Sequence, residues 1–208
     1  MSPHSNDSRV LHAGQQRRQS GRYLHGGILI MLRAALTSMP FLVGFAAMAQ
    51  PNSYPPPIEP AGKGMLQCHQ PNHARKTCQS LAGYRLLADG VVENTAWVGL
   101  PTMPVTVMEV VSKATIRNEQ VCGSILQSDV DAAHFAVEGV EVDGATTADY
   151  RKRVTVLYAS MMDREICTAY VADGDTLISR PFIDGVAVPQ MSQRVVWVSP
   201  EDGYRVGQ

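Results

Sequence analysis

From residue 81 onward, short runs of β-prone residues recur between turn signals. Residues 84–87 and 91–100 flank Asp89-Gly90, and an Asp-Gly step between such runs predicts a hairpin, because glycine takes positive φ cheaply. Pro101 and Pro104 interrupt the pattern, since proline removes a ladder donor. Residues 105–111 predict the next strand, and residues 115–122 extend or follow it. A small hairpin is predicted over residues 135–142 about Glu138-Gly139. Strand patterns return over residues 166–171, 176–183 and 195–198, with turns at Asp173-Gly174 and Asp184-Gly185, and a last run over 203–206. Repeated Asp-Gly steps between strands predict an antiparallel meander.

One longer helix interrupts this series. Tyr150, Val154, Leu157 and Met161 recur at i, i+4, i+7 and i+11, which marks one helical face. Thr146-Thr147-Ala148-Asp149 resembles a capping box with Asp in place of Glu. Arg151, Lys152 and Arg153 oppose the helix dipole in the first turns and read as a solvated face, with Asp149 as a partial offset. Residues 128–131 predict a turn or a single helical turn. The expected fold class is α+β: one domain over residues 64–208, a mostly antiparallel sheet with hairpins packed against one main helix.

The first third of the chain reads differently. Residues 34–49 are apolar and uncharged, Arg33 precedes them, and Ala47-Met48-Ala49 puts small residues at −3 and −1 of a cut before Gln50. That order is a signal peptide's, expected over residues 1–49, with Met31 as an alternative start. The apolar run is short of the roughly 20 residues of a membrane span. An uncleaved anchor that also enlists residues 26–32 is the alternative. Residues 50–63 hold five prolines and predict a linker. The expected location is periplasmic or secreted, with membrane contact only through the signal segment.

Charge follows the same division. Residues 1–49 carry five Arg and one Asp, net +4; the remainder carries 13 Lys and Arg against 18 Asp and Glu, net −5. An acidic product is repelled by phosphate backbones, so no nucleic-acid partner is expected.

All four cysteines, Cys68, Cys78, Cys122 and Cys167, follow the leader. An even count behind an export signal predicts two disulfides, and the expected pairs are Cys68–Cys78 and Cys122–Cys167. The competing use is zinc at Cys68, His69, His73 and Cys78, but the ligand order and spacing depart from a finger. Cys-x-x-Cys is absent from the sequence.

Candidate chemistry is sparse. Asp129, Asp131 and His134 form Asp-x-Asp-x-x-His, which suits a cation or, equally, a cap beside a surface histidine. Ser124 lacks the Gly-x-Ser-x-Gly frame of a nucleophile elbow. No phosphate-cradling glycine loop or His-Glu-x-x-His occurs, so no cofactor and no metal is assigned. Trp97, Trp197, Tyr84 and Tyr170 lie in strand patterns and read as core, with an aromatic groove as the alternative. The expected function is a non-catalytic binding or interaction module for an envelope protein or small ligand. The alternatives are an envelope hydrolase with a dispersed Ser/His/Asp site and a structural envelope component. A pocket joining a histidine to a serine or carboxylate favours the hydrolase; an exposed edge or apolar patch favours binding.

Overall fold

A computed structural model describes residues 53–207. The expected signal segment, residues 1–49, lies outside the described residues. The strands are β1 (Leu66–His69), β2 (Thr77–Cys78), β3 (Ser80–Leu86), β4 (Val91–Leu100), β5 (Thr106–Arg117), β6 (Gln120–Gly123), β7 (His134–Val137) and β8 (Val140–Glu141), then β9 (Ile166–Asp173), β10 (Thr176–Ile183), β11 (Val186–Ala187), β12 (Gln193–Val198) and β13 (Arg205–Val206). Helix α1 spans Gln127–Ala132 and α2 spans Gly144–Tyr158. No described helix is long and apolar enough to cross a membrane.

The sheet closes on itself. Eight strands, β1, β3, β4, β5, β6, β9, β10 and β12, each pair antiparallel with the next in chain order, and β12 returns to β1 through Leu66↔Val198 to His69↔Val195. This is an up-and-down barrel, an architecture that removes the sheet's free edges. The expected mostly antiparallel sheet with one main helix and two disulfides is present, and its strands close into a barrel that the sequence pattern does not announce. The α1–β7–β8–α2 segment is inserted between β6 and β9, and β5 holds it by pairing its first half with β7 and its last residues with β6.

Tight turns make the meander possible. Asn118-Glu119, Glu138-Gly139 and Asp184-Gly185 each place two successive residues at positive φ between paired strands. That is the backbone of a type I′ turn, whose twist matches that of the strands. The first pair has no glycine, and asparagine tolerates the left-handed region better than most residues.

Alternation then sorts each strand into two faces. Val92, Leu100, Met108, Ala114, Ser179 and Val195 are buried on the inward face, whereas Arg85, Glu93, Glu109, Lys113, Arg117, Arg180 and Arg194 fall on the outward one. At one end, Leu100 and Met108 pack with Val130, Ala133, Phe135 and Val154 of the inserted segment.

The helix starts earlier than expected. Asp143 is its N-cap and accepts a hydrogen bond from the Thr146 N–H at 2.8 Å. Its packed face is Tyr150, Val154 and Tyr158, and Leu157 is 54% exposed. The helix ends at Tyr158, so Met161 never joined the stripe that its spacing suggested.

The other barrel end is closed by the proline-rich segment expected to be a linker. Ile58 is fully buried against Val92, Ala114 and Val121, with Tyr54, Tyr84, Leu86, Ile116 and Tyr170 around it. The Tyr54 hydroxyl accepts from the Leu86 N–H at 3.3 Å. A helical turn at Glu59–Lys63 then leads into β1. The two apolar side chains among the prolines bury enough surface to dock the segment.

Both disulfides form the expected pairs. Cys68–Cys78 ties β1 to β2 within an outer cluster that contains Leu81 and Val198 and is flanked by Tyr204 and Val206. Cys122 and Cys167 are directly opposed on β6 and β9, across the root of the insertion. Two disulfides point to an oxidising, extracytoplasmic compartment.

Candidate functional site

The barrel wall is incomplete beside the proline segment. β10 pairs with β12 only from Leu177↔Val195 to Ser179↔Gln193, so Val196, Trp197 and Val198 run on without that neighbour. A cleft of about 740 Å³ opens there. Pro56, Pro57, Glu59 and Pro60 form one lip; the Asn118-Glu119 turn and Gly174-Asp175 contribute to the rim. Tyr170, Ala172, Leu177, Val195 and Trp197, all at inward-facing positions, line it.

A buried polar layer lies one side chain deeper. The Tyr84 hydroxyl donates to Gln67 Oε1 at 2.7 Å, and the Tyr84 and Tyr170 hydroxyls lie 3.5 Å apart. Gln67 is fully buried and is the cross-strand partner of Trp197, whose ring is 6.3 Å from that of Tyr84. Gln67 Nε2 and Asn94 Oδ1 are buried and make no hydrogen bond of ordinary length among the described residues, and the Gln67 amide lies close enough to the Tyr170 hydroxyl to act on it. Asn94 is directly opposite Tyr84 on the neighbouring strand. Ala82, Ala96, Ser112 and Ala114 make the inward face of β3–β5 a wall of small side chains opposite the aromatic ones. Orphaned buried polar groups are rare in proteins, since each forfeits its hydration without replacement.

The inward face is also electrically neutral. Its titratable members are His69, Tyr84 and Tyr170. Burial lowers the His69 imidazole from its usual value, countered in part by a 3.2 Å hydrogen bond with Gln193. Burial is also the main cause that raises both tyrosines above the ordinary phenol value, Tyr84 strongly; Tyr170 reinforces the rise at Tyr84, whereas hydrogen bonding from Tyr84 and Gln67 opposes it at Tyr170. All three shifts favour the uncharged form.

The structure separates the residues singled out by sequence. Asp131 accepts from Gln127 Nε2 on α1 at 2.8 Å, Asp129 lies in an outer groove, and His134 is on β7 beside Glu141 at 3.4 Å. Among the described residues, no group of three acidic, histidine or cysteine side chains is placed to hold a metal ion. Ser124 lines the same outer groove as Asp129, beside Cys122. His73 Nδ1 lies 2.6 Å from the Tyr204 hydroxyl. Trp97 faces outward, and its indole N–H donates to Glu109 at 2.9 Å. Of the four aromatic candidates, Tyr84, Tyr170 and Trp197 therefore converge on the bore, and Gln67 and Asn94, which no sequence motif marks, join them. Their only sequence signal is a polar side chain inside a strand, which ordinarily means the solvent face.

No protein-family model matches the chain, no curated protein is significantly similar to it, and no solved structure matches it. The reading of the site therefore rests on its own geometry.

Proposed function

We propose that the protein is a non-catalytic binding protein of the extracytoplasmic space that takes a small ligand through the cleft beside Trp197. The observation that carries this reading is the cleft itself, where the missing β10–β12 pairing leaves inward-facing Tyr170 and Trp197 at an opening of about 740 Å³. Ligand sites are typically concave and largely apolar, with a few polar groups that fix orientation. Eight-stranded barrels are wide enough either to fill with side chains or to hold one small molecule, and the small residues of β3–β5 favour the second use. The segment before Gln50 is, on this reading, the export signal, and N-terminal analysis of exported protein should find a chain that begins near Gln50.

The experiment uses Trp197 as reporter. The protein has two tryptophans, so Trp97→Phe leaves Trp197 alone in the emission spectrum. Titration with aminoanthracene, an uncharged fluorescent probe, should quench that emission saturably. Ala172→Phe, which adds bulk at the exposed rim, should weaken the response at least tenfold while leaving the melt unchanged. A linear, unsaturable response, or one indifferent to Ala172→Phe, would remove the cleft from consideration.

A further inference from the structure

The chemistry behind the cleft narrows the class of ligand, and this step rests on the binding reading above. We propose that the ligand is an uncharged molecule with an apolar, preferably aromatic, body and an amide-like head group that accepts from Gln67 Nε2 and donates to Asn94 Oδ1. Three observations combine. The two orphaned atoms are one donor and one acceptor, both buried, both on inward-facing positions of the barrel. They adjoin residues that line the cleft: Tyr170 and Trp197 line the opening, Tyr170 approaches the Tyr84–Gln67 pair, Trp197 is directly opposite Gln67, and Asn94 is directly opposite Tyr84. The Asp, Glu, Lys and Arg side chains of the barrel strands fall on the outer face, so no fixed charge in the bore compensates a carboxylate or an ammonium.

Desolvation then decides between ligand classes. A charged head would surrender its hydration to a layer offering neutral dipoles only, and the loss exceeds what one or two neutral hydrogen bonds return. A purely apolar ligand would leave both amides unpaired. A carboxamide supplies a carbonyl for the Gln67 N–H and an N–H for the Asn94 oxygen, which satisfies both at once. The aromatic body is accommodated by offset or edge contacts with Trp197 and Tyr170 at the opening.

The test is calorimetric titration of the intact, disulfide-bonded protein with four probes that share one ring system: naphthaleneacetamide, naphthaleneacetate, naphthylethylamine and ethylnaphthalene. The amide should bind at least about tenfold more tightly than the carboxylate, the amine and the hydrocarbon, which is what one satisfied neutral hydrogen bond is worth. The triple variant Gln67→Met/Tyr84→Phe/Tyr170→Phe removes the donor together with both hydroxyls of its network, so neither hydroxyl is left orphaned. It should bind the amide about tenfold more weakly and the hydrocarbon within about twofold of the parent. Asn94→Leu, which leaves the Tyr84–Gln67 bond alone, should show the same selective loss. A carboxylate or amine that binds as tightly as the amide overturns the proposal while leaving the binding reading in place. The same holds if a folded variant, with its near-ultraviolet dichroism intact, binds the amide unchanged. Failure of all four probes to bind overturns the proposal and the binding reading together, and the aminoanthracene titration then also fails.

Discussion

The docking of the proline segment makes a quantitative prediction through Ile58. Ile58→Ala removes three buried carbons from a side chain that is 0% exposed. At about 0.8 kcal/mol per buried carbon, the transfer contribution is about 2.4 kcal/mol. If Val92, Ala114 and Val121 cannot close over the gap, the cavity contribution of about 24 cal/mol per Å3 adds roughly 2 kcal/mol more. The lower half of that range is expected, because a segment without strand pairing can settle partly into the space. Ile58→Val gives a graded control at about 1 kcal/mol. Urea unfolding of the oxidised protein, followed by dichroism and analysed by linear extrapolation, measures both. Loss of less than about 0.5 kcal/mol for the alanine variant would mean that the segment is not held in the barrel end, and the spacer reading of residues 50–63 would return.

Three further outcomes follow from the packing. Replacing both Cys122 and Cys167 by alanine releases a loop of 45 residues and should cost about 4 kcal/mol by the chain-entropy relation, with a larger urea m-value as the unfolded chain expands; the Cys68–Cys78 pair, separated by 10, should lose about 2.7 kcal/mol from the same source. Leu157→Lys on the exposed side of α2 should stay within about 0.5 kcal/mol of the parent, whereas Val154→Ala on the packed side should cost about 2 kcal/mol, both read from urea midpoints. His69 has a lowered folded-state pKa, so the unfolded chain binds the proton first; stability is full above about 6.5 and declines as pH falls from there through the folded value. His69→Asn should flatten that part of the stability–pH profile, and an unchanged slope would assign it to another group.

The local parts of this fold were readable and the global part was not. Asp173-Gly174 and Asp184-Gly185 announce their turns because glycine supplies positive φ, and Glu138-Gly139 does the same for the inserted hairpin. Asn118-Glu119 makes an equivalent turn without the glycine, so its sequence carries no turn signal. β1 carries no strand signal of its own, because four residues containing a cysteine and a histidine resemble a metal loop as much as a strand. Closure depends on Leu66 meeting Val198, a pairing that no window of sequence contains. The site was lost for the same reason. In the run Glu93-Asn94-Thr95 polarity does not alternate, so nothing local says that Asn94 faces in while its neighbours face out. Leu157 fits the helix face by spacing, but apolar spacing at i+3 and i+4 fits two adjacent stripes, and the tertiary contact selects Tyr158.

The β1–β12 seam has a kinetic consequence. Most neighbouring barrel strands are joined by short connections and can pair within microseconds of meeting. The seam unites Leu66 with Val198, the first barrel strand with the last, so its formation waits on nearly the whole domain. Pairings of such separation are late and slow, because their loop entropy is lost before any contact repays it. Until then the meander is an open ribbon with β1 and β12 as two bare edges, able to add a strand from another molecule. The most aggregation-prone moment in this protein's life is therefore the interval before the ribbon's ends find one another.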